Sequence, residues 1–482
     1  MQKILFSLPL VAIAIASPVS SQDNAPPEPT EAVKAEQSPG QLYLMEEHGI
    51  SASEAAERIE LQEQVSTTAA RLAEEYPEDF GGVWIEHEPV YRIVVAFKDA
   101  DQRKSVRETI PAAQRRYVQI RNVRQSVAER EATADRIIAA IGQLGIPYVS
   151  YYEHRTDDTV IEVGSDASVG RVRQALPNDL QSSVKIIRGS IPRAAQATGS
   201  VAGDYVYPGF WWSQTSGGPY SCSFSFAAKD SQNREGILTA GHCPKTDAHM
   251  YRANPSPHWL SLALSTIDYY GYGTKFDHRF YRTAPMSTGA WLWFDNSSTK
   301  IKGKEADGTS LASHSSANVI SGYPADGYWK VVGTYGYYDQ KVGDVLCKSG
   351  HSSGLTCGKV THGYYTYNNA KGWIETGQSS QRYYAFAGDS GGAVFTSPVN
   401  GGIKASGIIT AATYYYPNLK PDGTPDKPGT EKACSSVMEG NSSYDSNLYP
   451  GVAQISDCRM IHMPIDYINF HQTLTVLTQP AG

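Results

Sequence analysis

Two short segments far apart in the chain contain the residues with the clearest chemical potential. One is the glycine-framed run Gly388-Asp389-Ser390-Gly391-Gly392, and the other is Thr239-Ala240-Gly241-His242-Cys243. A serine in an open glycine turn is a nucleophile when a base removes its proton, and an imidazole that titrates near neutral pH is such a base. The pair of Ser390 and His242 therefore predicts nucleophilic hydrolysis of an acyl group, above all of a peptide bond.

The glycines around the serine have a second use. Their conformational freedom permits a tight turn that directs the backbone N–H groups of Gly388 and Ser390 at one point. Two such donors stabilise the oxyanion of a tetrahedral intermediate. We therefore predict that Gly388 and Ser390 form an oxyanion hole.

The composition bounds the class of protein. The chain has 482 residues, of which 40% are hydrophobic and 19% are charged, enough for more than one packed domain. Its 43 glycines and 31 tyrosines favour strands and turns over a helical bundle. A net charge of −7 gives no support for nucleic-acid binding, which normally requires a basic patch. The sequence has neither a His-Glu-x-x-His nor a Cys-x-x-Cys motif, so we expect no metal and no cofactor.

The N-terminus has the pattern of an export signal. Lys3 precedes an apolar run at 4–16, and cleavage near residue 22 would leave a signal peptide at 1–22. The run is short for a membrane span, and no second long apolar stretch follows it. All six cysteines lie after residue 220, and an even number in an exported chain predicts disulfides. We expect a secreted or periplasmic product that is not held in a membrane.

The chain divides at 190–200, a segment of small residues that is typical of an exposed linker suited to proteolytic nicking. Before it, a flexible proline-rich leader at 23–40 precedes a predicted α+β domain, in which His87 and His154 are interpreted as solvent-exposed. The predicted helices lie near 51–72, 126–143 and 167–176, and the predicted strands lie near 91–97, 160–163 and 184–187. After the linker, many short strands between turns predict an all-β domain. The predicted boundaries are 23–200 for the first part, including its leader and the linker, and 201–482 for the all-β domain.

Three further segments accompany the two chemical motifs: 222–226, the loop at 347–358, and 406–412. Together the five resemble chymotrypsin-like serine proteases of the bacterial streptogrisin and α-lytic protease type. Upstream, 81–97 resembles the pro-region of the same family. The resemblance implies two six-stranded antiparallel β-barrels with the active site between them, preceded by an α+β pro-region that assists folding.

The same resemblance implies a carboxylate that orients the imidazole. The chain order of this family is His, Asp, Ser, so the aspartate lies between His242 and Ser390. Asp277 is favoured because it opens a predicted strand after a glycine-rich loop, where the family has this residue. Charged residues directly after it keep Asp268 as the alternative. Asp389 adjoins the nucleophile, and we expect a buried acid whose cationic partner the sequence does not identify.

Disulfides and substrate contacts are also implied by the resemblance. The expected disulfides are Cys222–Cys243, Cys347–Cys357 and Cys434–Cys458.

Four residues are predicted to contact the substrate: Tyr384, Thr410, Ala411 and Ala412. Tyr384 stands where trypsin-like relatives have an aspartate, so cleavage after Lys or Arg is not expected. Thr410-Ala411-Ala412 stands where relatives have Ser-Gly-Gly, and the added methyl groups predict a pocket for a small or medium apolar side chain. If the alignment shifts by one residue, the alanines are ordinary barrel core.

The sequence thus predicts a secreted serine endopeptidase that acts on polypeptides and is made as a zymogen, with its own pro-region as folding assistant and inhibitor. Two alternatives stay open. One is a binding protein that keeps the barrels without turnover, and the other is an esterase that uses the same three residues.

Overall fold

The computed structural model of the chain describes the following residues: 36–99, 101, 105–189, 191–194, 197–198, 211–213, 220–243, 248–252, 258–262, 264–270, 274–282, 290–295, 320, 323–324, 326–350, 352–378, 384–385, 388–399, 402–415, 432–433 and 458–480. The predicted signal peptide, most of the predicted leader and Cys434 lie outside these residues.

Residues 36–122 form a helix-on-sheet unit. Its elements are α1 (Pro39–His48), α2 (Ala52–Glu75), β1 (Phe80–Glu86), β2 (Arg92–Phe97), α3 (Val106–Thr109), α4 (Ala112–Arg115) and β3 (Val118–Asn122). β2 pairs with β1 in antiparallel and with β3 in parallel orientation. Leu61, Val65 and Leu72 recur at helical spacing along α2 and pack in one core with the sheet.

The end of the predicted leader is not an unstructured segment, because α1 begins at Pro39. Ser38 caps this helix, and its side chain and that of Gln41 form a reciprocal capping box. The N–H of Gly40 donates to Oγ of Ser397, which lies far along the chain. The leader prediction was therefore wrong from residue 38 onward.

A second helix-on-sheet unit follows. Its elements are α5 (Val127–Ile141), a 3₁₀ turn (Gly142–Leu144), β4 (Tyr148–Glu153), β5 (Asp158–Val163), α6 (Asp166–Ala175), α7 (Asn178–Ser183) and β6 (Val184–Arg188). The sheet order is β4-β5-β6, with β5 and β6 parallel. Apolar residues of its helices and strands form one core, among them Ile137, Ile161 and Val172. The α+β prediction for this part of the chain is confirmed.

The interpretation of two histidines in this region as solvent-exposed was wrong. His87 is 8% exposed, and its Nε2 lies 2.7 Å from the carbonyl oxygen of Gly343. His154 packs edge-on against Trp84 with ring centroids 4.9 Å apart. Burial lowers the pKa of both imidazoles, to about 3 for His87.

The rest of the described chain is mainly β-structure. Its first strands are β7 (Arg193–Ala194), β8 (Ala197–Thr198), β9 (Trp211–Ser213), β10 (Tyr220–Ser223), β11 (Ala227–Lys229), β12 (Glu235–Thr239), β13 (Ala248–Arg252), β14 (His258–Leu262), β15 (Leu264–Tyr270) and β16 (Asp277–Arg282). The later elements are β17 (Trp291–Asp295), β18 (Asp326–Thr334), β19 (Val345–Gly350), β20 (Gly354–Tyr367), β21 (Ala370–Gln378), β22 (Ala393–Thr396), β23 (Gly402–Ala412), β24 (Tyr414–Tyr415), β25 (Lys432–Ala433), β26 (Cys458–Pro464), α8 (Tyr467–Gln472) and β27 (Thr475–Val476).

Six of these strands close into a barrel. Each pairs with two others in the cyclic order β19, β20, β21, β26, β23, β22 and back to β19. Closure satisfies the backbone groups that an open sheet would leave at its edges. We call this the second barrel. The predicted fold class, an all-β domain behind an α+β region, is confirmed.

Ten other strands of the described chain form two five-stranded sheets. Their orders are β14-β13-β9-β10-β8 and β15-β16-β12-β11-β27. The second of these sheets includes β27 from the end of the chain, which pairs with β11. We call these strands the first β unit.

The N-terminal region and the second barrel share a continuous sheet. Ser150 of β4 pairs with Thr366 of β20, so the sheet β4-β5-β6 extends the barrel strands. Gln62 of α2 bonds the backbone of Val345 in both directions, accepting from its N–H at 2.6 Å and donating to its carbonyl at 3.1 Å. None of the helices in the described part of the chain has the length and apolar run needed to span a bilayer.

Candidate active site

Three side chains from separate parts of the chain meet in one hydrogen-bonded series. Nε2 of His242 lies 2.8 Å from Oγ of Ser390, and Nδ1 of the same imidazole lies 2.7 Å from Oδ2 of Asp277. The backbone N–H of His242 donates to the other carboxylate oxygen, Oδ1, at 2.8 Å. The structure thus brings together the predicted serine, the predicted histidine and the favoured aspartate.

The strands explain this meeting. β12 and β16 are neighbours in the first β unit, so the loop after β12 carries His242 past the start of β16, where Asp277 lies. Ser390 is in the turn before β22 of the second barrel. The site therefore lies between the first β unit and the second barrel. The alternative aspartate, Asp268, is opposite Arg279 in the pairing of β15 with β16, and its side chain lies outside the described residues.

The surroundings of Asp277 keep its carboxyl group ionised. Burial alone would raise the pKa of Asp277, but the charge of His242, two hydrogen bonds from His242 and one from Thr410 outweigh burial and lower that pKa. An ionised carboxylate only accepts hydrogen bonds, so Nδ1 of His242 carries the proton. In the neutral imidazole, Nε2 then has its lone pair directed at Ser390, as a general base requires.

The turn that contains the serine depends on two glycines. Gly388 has a φ of 101° and Gly391 has a φ of 84°. This backbone conformation is strained for residues other than glycine. A Cβ atom at Gly391 would lie 2.2 Å from Oγ1 of Thr239, because the turn packs against the strand that leads to the histidine. Replacement of Gly391 would therefore push the serine and histidine segments apart.

Strand β10 holds the same turn from the other side. The N–H of Ser223 donates to the carbonyl of Ser390 at 2.7 Å, and its hydroxyl donates to the carbonyl of Gly388 at 2.8 Å. These bonds cross from the first β unit to the second barrel. They fix the carbonyls of the turn, and hence the direction of its peptide groups.

The buried acid beside the nucleophile has a cationic partner, Lys348. Its Nζ lies 3.3 Å from Oδ2 of Asp389, and both side chains are fully buried. The N–H groups of Ser352 and Ser353 donate to Oδ1 at 2.8 and 3.1 Å, and the Ser353 hydroxyl also bonds the carboxylate. Burial lowers the pKa of Lys348, an effect that the nearby Asp389 opposes.

Sequence reasoning missed Lys348, because its burial becomes visible only in the folded chain. All six residues of β19 are buried, so a lysine in this strand requires an anionic partner in the interior. Asp389 was the acid whose cationic partner the sequence did not identify.

The disulfides support the same region. Cys222 and Cys243 are bonded, which ties β10 to the residue after the histidine, and Cys347 is bonded to Cys357 across β19 and β20. Cys458 is also disulfide-bonded, while Cys434 lies outside the described residues.

The four predicted substrate contacts divide into two groups. Thr410 is close enough to Asp277 to help lower the pKa of that carboxyl group. The backbones of Ala411 and Ala412 follow Thr410 on β23, where they pair with Ile461 and Met460 of β26. Tyr384 is separate from them: its side chain is 1% exposed and lies against Gly358 inside the second barrel.

Two short strands of the predicted linker run beside the site. β7 pairs with β23 in antiparallel orientation, with Ala194 opposite Ala411 and Arg193 opposite Ala412. β8 pairs with β10, with Ala197 opposite Ser221. The backbone therefore lies in extended pairing both on the barrel side of the site, next to Thr410, and on the side of Cys222. Among the described residues, no cluster of His, Cys, Asp or Glu is arranged to hold a metal ion.

No family model matches the chain. Three solved structures with a similar fold are a Nocardiopsis protease (NAPase; 15% identity, TM-score 0.32), Thermobifida fusca protease A (16%, 0.32) and Cellulomonas bogoriensis chymotrypsin (21%, 0.31). Each match covers 57% of this chain and 99% of the other. These values describe a distant likeness, and the function of the site rests on its own geometry.

Proposed function

We propose that the chain is a serine endopeptidase that hydrolyses peptide bonds through an acyl-enzyme. One observation carries the proposal: a single imidazole, that of His242, lies within hydrogen-bonding distance of both the Ser390 hydroxyl and the buried Asp277 carboxylate. A serine hydroxyl so placed can lose its proton as it attacks, and the carboxylate stabilises the imidazolium that results.

The reaction follows from these positions. Oγ of Ser390 attacks the carbonyl carbon of the substrate while Nε2 of His242 takes its proton. The N–H groups of Gly388 and Ser390 stabilise the oxyanion, and loss of one such donor typically costs about 10²–10³ in turnover. The C–N bond then breaks, the imidazolium gives its proton to the leaving amine, and an ester remains on the serine. Water, deprotonated by the same imidazole, attacks this ester; the bond between the carbonyl carbon and Oγ of Ser390 breaks, Oγ takes the proton back from the imidazolium, and the acid product leaves.

We further propose that the enzyme is secreted as a zymogen, with a signal peptide at 1–22, a pro-region at 23–200 and a catalytic domain at 201–482. The pairing of β7 with β23 and of β8 with β10 supports this, because an extended peptide added to those strands is bound as a substrate would be. An intact N-terminal region then inhibits the site, and cleavage of the linker relieves the inhibition. Disulfides on both sides of the site suit an oxidising compartment.

The proposed substrates are polypeptides with a small or medium apolar side chain before the cleaved bond. Ala411 and Ala412, both fully buried, bring methyl groups to the strand that pairs with β7. A narrower pocket accepts only smaller side chains. The selectivity between two substrates that differ by one methylene group is modest, about 1–3 kcal/mol.

Labelling with a serine-directed phosphonate tests the activity. The secreted, processed wild-type protein should gain one phosphonyl group at Ser390, measured by intact mass and peptide mapping, and should cleave casein. Ser390→Ala should gain none, and His242→Ala should label at least about 10³-fold more slowly because the hydroxyl keeps its proton.

Other outcomes identify the two alternatives. A folded wild-type protein that neither labels nor cleaves casein at any pH would be a binding protein. Labelling with hydrolysis of simple esters, but without cleavage of casein, would make the chain an esterase.

A further inference from the structure

The strand that begins with Asp277 contributes a second charged group to the site, and this group is not part of the triad. Side chains two residues apart on a strand point to the same face, so Arg279 follows Asp277 toward the loop that carries His242. Arg279 is only 3% exposed. A permanently charged guanidinium in such a buried position requires strong acceptors.

Two acceptors of Arg279 lie on either side of the histidine. Nη1 donates to the carbonyl oxygen of Cys243 at 2.6 Å, and Nη2 donates to the carbonyl oxygen of Gly241 at 2.8 Å. One planar fork therefore spans the residue between them, His242. Charge-assisted hydrogen bonds of this kind are shorter and stronger than neutral ones.

The peptide group between Gly241 and His242 is held at both ends. Its carbonyl accepts from Arg279, and its N–H donates to Oδ1 of Asp277. Because a peptide group is planar, two bonds at opposite ends fix its rotation as well as its position. The Cα of His242 is attached to this plane, so the direction in which the imidazole leaves the backbone is fixed too.

We propose that Arg279 is a positioning residue that holds the imidazole of His242 in line with Ser390. Arg279 does not touch substrate; it acts through the backbone on both sides of the base. The inference rests on the proposed serine-peptidase activity and adds to it the reason for a buried arginine two residues after the aspartate. The sequence alone marked this arginine only as a departure from the related proteases.

The test compares four variants, Arg279→Met, Arg279→Lys, Arg279→Ala and Arg282→Met, each expressed as the full-length chain and purified after secretion and processing. Arg279→Met keeps an unbranched side chain of similar apolar character to the arginine stem but loses both of these bonds, whereas Arg279→Lys keeps the charge and can reach one carbonyl. Arg282→Met is the matched control, since Arg282 is on the same strand but not on the same face. We expect kcat to fall about 10²-fold for Arg279→Met with KM little changed, because a base misplaced by about 1 Å costs that much. The kcat of Arg279→Lys should lie between those of Arg279→Met and the wild type, and the kcat of Arg282→Met should match the wild type.

Two readouts separate positioning from mere support of the fold. In Arg279→Met, the low-field proton resonance of the hydrogen bond between His242 and Asp277 should broaden or disappear, while the resonances of the barrel core stay in place. In Arg279→Ala, millimolar guanidinium should restore part of kcat, and tetramethylammonium at the same concentration should not. Should Arg279→Met not be secreted, Arg279→Lys and Arg279→Ala are measured in the same way.

The possible results are distinct. Unchanged kcat and an unchanged low-field resonance in the Arg279 variants of an active enzyme would overturn the inference. So would a loss of kcat that only follows a loss of thermal stability and that guanidinium does not restore. Absence of labelling and peptidase activity in the wild-type protein would instead refute the proposed function itself.

Discussion

Asp389 and Ser390 are neighbours in one turn and are both buried, but their side chains contact different groups. The serine hydroxyl must reach a base, whereas the carboxylate beside it is buried in the second barrel and is held by Lys348 and by the backbone of Ser352 and Ser353. A buried charge without its partner is costly, so the position of the whole turn depends on the ion pair. Lys348 thereby controls the direction of a hydroxyl that it does not touch.

Replacement of Lys348 by methionine should therefore destabilise the protein. In the full-length Ser390→Ala background, which prevents self-digestion, we expect Lys348→Met to lower the free energy of unfolding by about 3–5 kcal/mol, measured by urea denaturation. In the active protein, the same substitution should also lower kcat because the turn that holds Ser390 is displaced.

A surface lysine provides the control. Lys98 pairs with Glu129, and the two side chains are 37% and 47% exposed, so Lys98→Met should cost no more than about 1 kcal/mol. Adding Asp389→Asn to Lys348→Met should recover part of the loss by removing the unpaired charge. Equal losses for the two lysine variants would contradict the role given to this ion pair.

At the scale of elements, helices with local signals were predictable from sequence. α2 and α5 lie close to the predicted ranges 51–72 and 126–143, and each begins after a serine cap, Ser51 and Ser126. α1 had a local signal too, the capping box of Ser38 and Gln41, but the proline-rich and polar residues before it led to its interpretation as part of the leader. Its contact with the distant Ser397 has no local signal. The pairings of β4 with β20 and of β7 with β23 have no local signal either, since each joins segments about 200 residues apart.

In the candidate site, too, residues with a local sequence signal were predictable and contacts between distant residues were not. His242 and Ser390 could be predicted because each lies within a distinctive short motif. The contacts of Lys348 and Arg279 could not, because a single charged residue acquires its role only when folding brings a carboxylate or two carbonyls against it.

These paired elements predict that the N-terminal region assists folding. β19 and β20 are bonded to Gln62 and to β4, so this region offers a ready edge for barrel strands whose own partners are far apart in sequence. We expect isolated 201–482 to refold poorly and to recover activity several-fold when 23–200 is added in trans, as measured by the yield of phosphonate-reactive protein.

Two glutamines on one helix allow a matched comparison for this experiment. Gln62→Ala removes both bonds to Val345 and should weaken the assistance, whereas Gln64→Ala on the same helix should not. If 201–482 refolds equally well with no addition, the assisting role is excluded.

At the scale of the whole molecule, ion pairs cross between the N-terminal region and the second barrel. Glu162 of β5 accepts from Arg459 of β26 at 2.8 Å. Glu153 of β4 lies 3.9 Å from Nε2 of His362, whose Nδ1 lies 2.8 Å from Glu375 within the barrel. Burial acts to lower the pKa of His362, but the nearby carboxylates of Glu153 and Glu375 outweigh it and raise that pKa to about 9.

Two other imidazoles at the same boundary, those of His48 and His87, have lowered rather than raised pKa values. The rings of His48 and His87 are stacked, with centroids 5.1 Å apart and planes 7° from parallel, and His87 bonds the carbonyl of Gly343. Burial lowers the pKa of both, so both are neutral in the assembled molecule. The charged groups that face them are Arg58, Lys359 and Glu88.

The two groups act on opposite sides of neutral pH. His87 has a pKa of about 3 when buried and an ordinary pKa of 6.5 when released to solvent. Protonation therefore favours release of this side chain, and the folded molecule loses stability as the pH falls below 6.5. His362 has a pKa of about 9 when buried, so its stabilising charge is present below 6.5 and is lost as the pH rises through 9. Together, the contributions of these two histidines should therefore be greatest near pH 6.5 and should decrease on either side of it.

Urea unfolding of the full-length Ser390→Ala protein from about pH 4 to about pH 10 measures both sides, and each histidine that binds one extra or one fewer proton contributes a slope of up to about 1.4 kcal/mol per pH unit. His87→Asn should reduce the slope on the acid side and leave the alkaline side unchanged, because asparagine does not titrate. His362→Gln should do the reverse, so each variant is the control for the other. An acid slope that is identical in His87→Asn and its parent would show that release of this buried imidazole does not set the acid stability of the assembled molecule.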